Sequence, residues 1–241
     1  MITLVGVGHV FNISDQVRAI ILERTPRVVC LELDPGRYEA LLHPGSKRNA
    51  PVIYRILAQF QKRMAREFGG EVGQEMLTAA KAANEVGAEV LLIDADASAL
   101  FSKLWGEMPV KEKINLMFSS VAGLFISRDR VEKELEKFEE NEEKYIEQIG
   151  EQFPTLKRVL IEERNRLMAA RIESASQQYS DVLAVVGDGH IDGISRLLSH
   201  ADVSVYRLRD LLGKEKKGPA EGSGSNAVAD VHISYTYDET P

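Results

Sequence analysis

The sequence has little that would point to an oxidising compartment, a membrane or a nucleic acid. Its 241 residues include one cysteine, Cys30, so no disulfide can form within the chain. No apolar run approaches the roughly 20 residues of a membrane-spanning helix, and the first residues resemble a strand rather than a signal peptide. The net charge of −7 offers no basic stripe for phosphate groups, which argues against nucleic acid as a partner. We therefore expect a cytoplasmic protein without a membrane span.

Three motifs that identify common hydrolases are also missing. The sequence contains no His-Glu-x-x-His helix, no Gly-x-Ser-x-Gly elbow and no Walker loop. These absences exclude the usual zinc protease, the serine hydrolase of the α/β type and the P-loop nucleotidase. A hydrophobic fraction of 44% is nevertheless ordinary for a globular protein with a substantial core.

One short pattern is present twice, at opposite ends of the chain. Gly6-Val7-Gly8-His9 and Gly187-Asp188-Gly189-His190 each follow an apolar run that predicts a strand. Glycines at a strand end indicate a sharp or positive-φ turn, or a close approach of two backbones. In an open α/β sheet, ligands bind at the carboxyl ends of the strands. We therefore expect both histidines in one pocket, although two ordinary turns with structural histidines remain an alternative.

Acidic residues follow two further predicted strands. Glu32 interrupts the end of an apolar run from Val28 to Leu33, and alternation puts it on the same side as Cys30. Asp94 follows a strand predicted from residues 89 to 93. Because an isolated buried carboxylate is costly, each of them needs a partner, a metal ion or water. Glu75 borders a small-residue stripe on a predicted helix and is either a site carboxylate or a solvated side chain.

Arg164 lies on the apolar ridge of a helix that begins at Pro154. The ridge consists of residues spaced four apart: Leu156, Leu160, Arg164, Met168 and Ile172. An arginine on a packed face needs an anionic partner because it does not lose its proton. The partner is either a structural salt bridge or an acidic site, and the polar Asn165 stands beside it.

The order of the predicted elements indicates an α/β fold. We expect a central mixed, mostly parallel sheet flanked by helices, with a helical insertion around residues 106–176. Residues 1–213 would form the domain, and residues 214–241 a linker and tail with an edge strand at 231–237. A helix predicted from Arg128 to Ile149 carries a narrow apolar seam, which fits either a docked surface helix or an arm that pairs with a second subunit in a homodimer.

Six short motifs together resemble the TraB/PrgY/GumN family, which includes the pheromone-shutdown proteins and the Tiki metalloproteases. They run in one order from residue 5 to residue 194 and cover most of the domain. The motifs are Gly6-Val-Gly-His9, Val29-Cys-Leu-Glu32-Leu with Arg37 soon after, Gly73-Gln-Glu75-Met76, Leu91-Leu-Ile-Asp94, Glu163-Arg164-Asn165-Arg-Leu-Met168-Ala, and Val185-Val-Gly187-Asp-Gly-His190-Ile-Asp-Gly193-Ile.

The resemblance implies a fold of the erythromycin-esterase and Tiki type and hydrolysis that depends on a divalent metal. The paired Gly-x-x-His motifs of the family, its glutamate and its arginine map onto His9, His190, Glu32 and Arg164. Where an arginine is expected after Asp94, this chain has alanine. Many prokaryotic relatives carry a C-terminal membrane region, which would imply membrane association, whereas a polar tail stands here.

Two functions are consistent with these residues. In the first, His9, Glu32 and His190 hold Mn, Co, Zn or Fe, with Glu75 or Asp94 as a fourth ligand or general base. The metal would activate water, and the nearby arginine would stabilise the oxyanion formed from a peptide substrate. In the second, the same crevice binds a peptide or small molecule without catalysis. The sequence does not separate a metal-dependent peptidase from a binding protein.

Overall fold

The computed structural model describes residues 1–8, 13–43, 73–123, 147 and 150–212. In this part of the chain, five strands form one sheet in the order β3-β2-β4-β1-β5, and every neighbouring pair is parallel. The α/β fold with a mostly parallel sheet is confirmed. The strands are β1 (Ile2–Val7), β2 (Val28–Leu31), β3 (Glu89–Leu92), β4 (Val182–Gly187) and β5 (Val203–Tyr206).

Helices follow each of these strands. The helix α1 (Ser14–Arg24) comes after β1, while the helices α5 (Val110–Gly123), α6 (Pro154–Lys157) and α7 (Glu163–Gln178) overlap the predicted insertion around residues 106–176. A five-residue π-helical turn, Arg158–Glu162, connects α6 to α7. The helices are α1 (Ser14–Arg24), α2 (Pro35–Leu42), α3 (Gln74–Glu85), α4 (Ala97–Glu107), α5 (Val110–Gly123), α6 (Pro154–Lys157), α7 (Glu163–Gln178), α8 (Asp188–Leu197) and α9 (Leu208–Leu212).

The sheet is covered on both faces, which explains why its central strands are continuous apolar runs. Alternate residues of β2 point to opposite faces. Val29 and Leu31 pack with α1 and α3, whereas Val28 and Cys30 pack with α7 and α8. A third apolar cluster joins α4 to the π-helical turn, around Leu104 and Val159.

The two central strands β1 and β4 form a topological switch point. They are neighbours in the sheet, with Val7 paired to Gly187 at their carboxyl ends. The helix after β1 packs on one face of the sheet and the helix after β4 packs on the other. The chain therefore leaves the two strands in opposite directions, which opens a crevice at the carboxyl edge where ligands bind in open α/β sheets.

Some predicted elements fall outside the described residues. These are the helix predicted at 51–68, nearly all of the helix predicted at 128–149, and the tail with its strand predicted at 231–237. The subunit contact predicted for the second helix therefore stays a prediction. Within the described ranges, no helix combines the length and apolar character needed to cross a membrane.

Candidate functional site

Five of the predicted site residues meet at the carboxyl edge of the sheet. Glu32 follows β2 and Asp94 follows β3, while α7 supplies Arg164 and Asn165 and α8 supplies His190. All except Arg164 are buried below a tenth of their surface, and the Arg164 side chain is 12% exposed. The site is thus a buried polar cluster at the position where the topology opens a crevice.

Glu32 connects three elements through its carboxylate. Its Oε2 accepts a hydrogen bond from the backbone N of Gly187 at the end of β4. Its Oε1 accepts from Arg164 Nη2 and lies 3.5 Å from His190 Nε2. The side chain is on the same face as Cys30, as strand alternation predicts. The carboxylate of Glu32 therefore has an arginine and a histidine as partners.

His190 is oriented by Asn165. The ring Nδ1 and the Asn165 side-chain oxygen are 2.6 Å apart, so Nδ1 donates to that oxygen and the Nε2 atom faces Glu32. The contact needs a close approach of α7 and α8, and Gly193 permits it. A Cβ at that glycine would lie 2.1 Å from the Asn165 side-chain nitrogen.

Arg164 donates from all three of its nitrogens. Nε is 2.9 Å from Asp94 Oδ1, and Nη2 is 2.7 Å from Asp94 Oδ2 while it also donates to Glu32. Nη1 is 3.1 Å from the carbonyl oxygen of Leu160, one turn earlier. The helical ridge thus directs this arginine to an acidic partner, and that partner consists of two carboxylates.

Asp94 is held as a carboxylate. Burial by itself would raise its pKa, but the hydrogen bonds and charge of Arg164, together with the charge of Arg37, outweigh burial and lower it. Its two oxygens accept from Arg164, Arg37 and the backbone N of Ala95. Arg171 also reaches the backbone carbonyl of Asp94, at 2.8 Å. Three arginines therefore converge on one strand end.

Arg37 and Asp34 belong to this cluster, although neither was predicted from the sequence as a site residue. Asp34 caps α2, since its Oδ1 accepts from the backbone N of Arg37 at 3.0 Å. Its Oδ2 accepts from Arg37 Nε at 2.6 Å. The spacing Asp-Pro-Gly-Arg, an N-cap residue with a cation three positions later, is the signal that could have found this pair.

The second glycine motif does not form the positive-φ turn that was one of the conformations its glycines indicated. No positive-φ turn follows β4: Gly187 has φ −55° and ψ 138°, and Gly189 lies within the first turn of α8. The requirement at Gly187 is close approach, because a Cβ there would lie 3.3 Å from Glu32 Oε2. His190 is therefore presented by a helix N-terminus rather than by a glycine turn.

The aspartates of the same motif face away from Glu32. Asp188 Oδ2 accepts from Arg207 Nε and Nη2 at 3.1 and 2.9 Å, and its Oδ1 accepts from the backbone N of Leu208. Asp192 Oδ1 is 2.6 Å from Arg207 Nη1. These ion pairs connect the first turn of α8 to the segment after β5. Asp188 and Asp192 therefore stabilise the packing of α8, whereas His190 of the same motif contacts Glu32 and Asn165.

The remaining predicted residues are placed less directly. His9 lies outside the described residues, while Gly8 directly follows β1, whose last residue is paired with Gly187. Glu75 is buried in the first turn of α3, and this helix packs on the sheet face opposite to α7 and α8.

Burial raises the pKa of the Cys30 thiol to about 12, so this cysteine is not a thiolate nucleophile at neutral pH.

The sequence of the chain also matches a known protein family. A family model described as TraB/PrgY/gumN matches residues 1–207. The chain belongs to the TraB/PrgY/gumN family. It is also 33% identical to an uncharacterized protein of Methanocaldococcus jannaschii, in a match that covers 82% of this chain and 53% of that protein. The chain therefore spans about half the length of this curated relative.

The residues of this TraB/PrgY/gumN family member fit part of a metal site. Two ligand atoms, each about 2.1 Å from a tetrahedral ion, lie about 3.4 Å apart. Glu32 Oε1 and His190 Nε2 are 3.5 Å apart. In the part of the chain that the structure describes, no group of three His, Cys, Asp or Glu side chains is arranged to hold a metal. A third ligand would have to come from elsewhere, and the sequence predicts His9.

Proposed function

We propose that this chain is a divalent-metal-dependent hydrolase that acts on peptides, with His9, Glu32 and His190 as metal ligands. The observation that carries the proposal is the 3.5 Å separation of Glu32 Oε1 and His190 Nε2, which matches two ligands of one ion. A histidine nitrogen and a carboxylate oxygen suit Zn, Mn, Co or Fe(II). When bound, such an ion would activate a water molecule for attack on a carbonyl group.

The contact between Asn165 and His190 supports this assignment. Because Nδ1 donates to the Asn165 oxygen, the neutral imidazole carries its lone pair on Nε2, the atom that faces Glu32. Histidine ligands commonly donate their second nitrogen to a carbonyl or carboxylate oxygen, which fixes the tautomer and the ring orientation. Asn165 would therefore position His190, not touch the substrate.

Arg164 would supply positive charge next to the reacting carbonyl group. Its guanidinium bridges Glu32 and Asp94 and is fixed further by the Leu160 carbonyl. A charge fixed in advance stabilises a developing oxyanion without reorganisation. Asp94, whose oxygens already accept from two arginines and a backbone N, would anchor Arg164. Glu75 remains our candidate for a further ligand or a general base.

The test is the metal content of the purified protein, followed by peptide turnover with added Mn²⁺ or Co²⁺. Glu32→Gln keeps the size of the side chain but removes its charge, and it should lose most of the bound metal while the fold is retained. His9→Ala and His190→Ala should do the same. Asn165→Ala should weaken metal affinity about 10- to 100-fold, because only the orientation of His190 is lost. Wild-type protein that binds no divalent ion under any loading condition would exclude this proposal.

A non-catalytic binding protein is the second candidate. The observation in its favour is that Arg164 donates from all three of its nitrogens and both oxygens of Asp94 accept hydrogen bonds within the cluster, as in a structural ion-pair network. In that case the wild type would bind a peptide or small molecule in the crevice, and added metal would change neither affinity nor turnover.

A further inference from the structure

Arg37 is held at the edge of the cluster by two buried carboxylates. Its Nε donates to Asp34 Oδ2 at 2.6 Å, and its Nη2 donates to Asp94 Oδ2. The Asp34 and Asp94 side chains are 2% and 1% exposed. The guanidinium is therefore held in its plane from two directions, so that little rotamer entropy is lost when a ligand binds to it.

The Nη1 atoms of Arg37 and Arg164 differ in their hydrogen bonding. Arg164 donates from Nε, Nη1 and Nη2, and its side chain is 12% exposed. Nη1 of Arg37 has no acceptor among the described residues, and the side chain is 32% exposed. Of the two arginines that bridge carboxylates in the described cluster, Arg37 is thus the one whose Nη1 keeps N–H donors for a ligand.

The charges around Arg37 indicate which ligand it can take. Burial would lower its pKa, but Asp94 and Asp34 outweigh burial and raise it, so the guanidinium stays charged. The three arginines of the cluster balance its three carboxylates, which are Glu32, Asp34 and Asp94. An incoming anion then meets no net repulsion, and a guanidinium forms strong charge-assisted hydrogen bonds with a carboxylate. A peptide, the substrate class proposed above, carries such an anion at its C-terminus.

We propose that Arg37 Nη1 binds the C-terminal carboxylate of a peptide, so that the site takes peptides with a free carboxyl end. The proposal rests on the proposed function and names its substrate class. Three ion pairs in series connect Arg37 to Asp94, Asp94 to Arg164 and Arg164 to Glu32. Each spans about 4 Å between carbon centres, so the Arg37 guanidinium carbon lies within about 12 Å of the Glu32 carboxylate carbon, and a carboxylate paired with Arg37 lies within about 16 Å. The larger distance corresponds to at most about five residues of extended peptide.

The test compares two fluorescent probes, a dansyl-labelled penta-alanine with a free C-terminal carboxylate and the same peptide with a C-terminal amide. Binding to the full chain is measured by fluorescence anisotropy without added metal. Wild type should bind the free acid at least about tenfold more tightly, as expected for one charge-assisted hydrogen-bonded pair. Arg37→Gln should abolish this preference. Arg37→Lys should keep part of it, because the charge stays but the planar fork is lost.

The matched control is Arg18→Gln, which removes an exposed arginine paired with Glu85 on α1 and should leave the preference unchanged. Thermal unfolding of each variant separates a lost carboxylate site from a lost fold, and Arg37→Lys provides the answer if Arg37→Gln does not fold. Equal binding of the two probes by wild type, binding of neither, or a preference that survives in Arg37→Gln would overturn the proposal. Because the assay contains no metal, this inference can fail while metal-dependent turnover is still observed, and the reverse also holds.

Discussion

At the scale of single residues, the stability of the cluster depends on Asp94. Its folded-state pKa is lowered because Arg164 and Arg37 outweigh the effect of burial. The unfolded chain has a carboxyl pKa of about 4. A lowered pKa stabilises the folded protein fully above that value, and the contribution is lost as the pH falls through the folded-state pKa. Acid should therefore weaken this cluster before it affects the apolar core.

Replacing Arg164 by glutamine tests this dependence of the protein's stability on pH. Glu32 and Asp94 would lose their shared cation, and the free energy of unfolding near pH 7 should fall by about 3–5 kcal/mol. The deficit relative to wild type should shrink as the pH falls below about 5, because protonation removes the buried charge. Urea unfolding between pH 4 and pH 8 measures both the loss of stability near pH 7 and its decrease at lower pH. Arg18→Gln, at an exposed ion pair, is the control, and a deficit that stays constant across this range would contradict the argument.

Much of this site could be predicted from residue spacing. Strand alternation puts Glu32 on the correct face, and steps of four along a helix turn Arg164 inward. The contact of Asn165 with His190 could not be predicted in this way, since it depends on how closely α7 and α8 pack at Gly193. The position of a helix relative to its neighbour is a property of packing, and no local pattern in the sequence carries it.

At the scale of elements, the first glycine of the chain is explained by α8 and not by its own turn. Gly6 lies within β1, and a Cβ there would be 2.0 Å from Asp188 Oδ1. That oxygen accepts from Leu208 N, and the other oxygen of Asp188 is paired with Arg207, so the carboxylate is not free to shift. The two glycine motifs are therefore coupled in space through Asp188.

Gly6→Ala should consequently destabilise the protein by about 1–3 kcal/mol, the usual cost of overpacking a filled site. Gly106→Ala is the matched control, since a Cβ at that position in α4 meets nothing within 4 Å. It should be neutral or stabilise the helix by up to about 1 kcal/mol. Denaturant unfolding of both variants measures the difference. Equal stability of the two variants would show that Asp188 yields to the added methyl group.

The π-helical turn before α7 was not predicted from the sequence. We expected one α-helix from Pro154, but Arg158–Glu162 forms a wider turn. Val159 within this turn packs with Leu104 of α4, whereas residues after the turn, such as Met168, pack against the sheet. A wider turn changes the rotational phase of the helix between these two clusters. Apolar spacing near four is compatible with both helix types, so the pattern could not distinguish them.

At the scale of the whole molecule, topology explains why a site exists at this edge. The sequence predicted the strands and their mostly parallel arrangement from continuous apolar runs. It did not predict that β4 lies between β2 and β1, because strand order depends on connections that span many residues. This order brings the two glycine motifs onto neighbouring strands and separates α1 from α8 on opposite faces. The duplicated glycine motif therefore indicated where the site lies, but only the strand order explains why its two copies are neighbours in space.

The domain boundary gives the last prediction. Truncation after Gly213 removes the predicted linker and tail, and we expect thermal stability and metal binding to stay as in the full chain. Truncation after Tyr206 additionally removes Arg207, which pairs with Asp188 and Asp192, and α9, whose Leu208 and Leu211 are buried in the core cluster that includes Val5 and Val7 of β1. Loss of these two side chains should cost about 3–6 kcal/mol. Thermal and urea unfolding compare both truncations with the full chain. If truncation after Gly213 is as damaging as truncation after Tyr206, the strand predicted at 231–237 pairs with the sheet and the domain extends beyond residue 213.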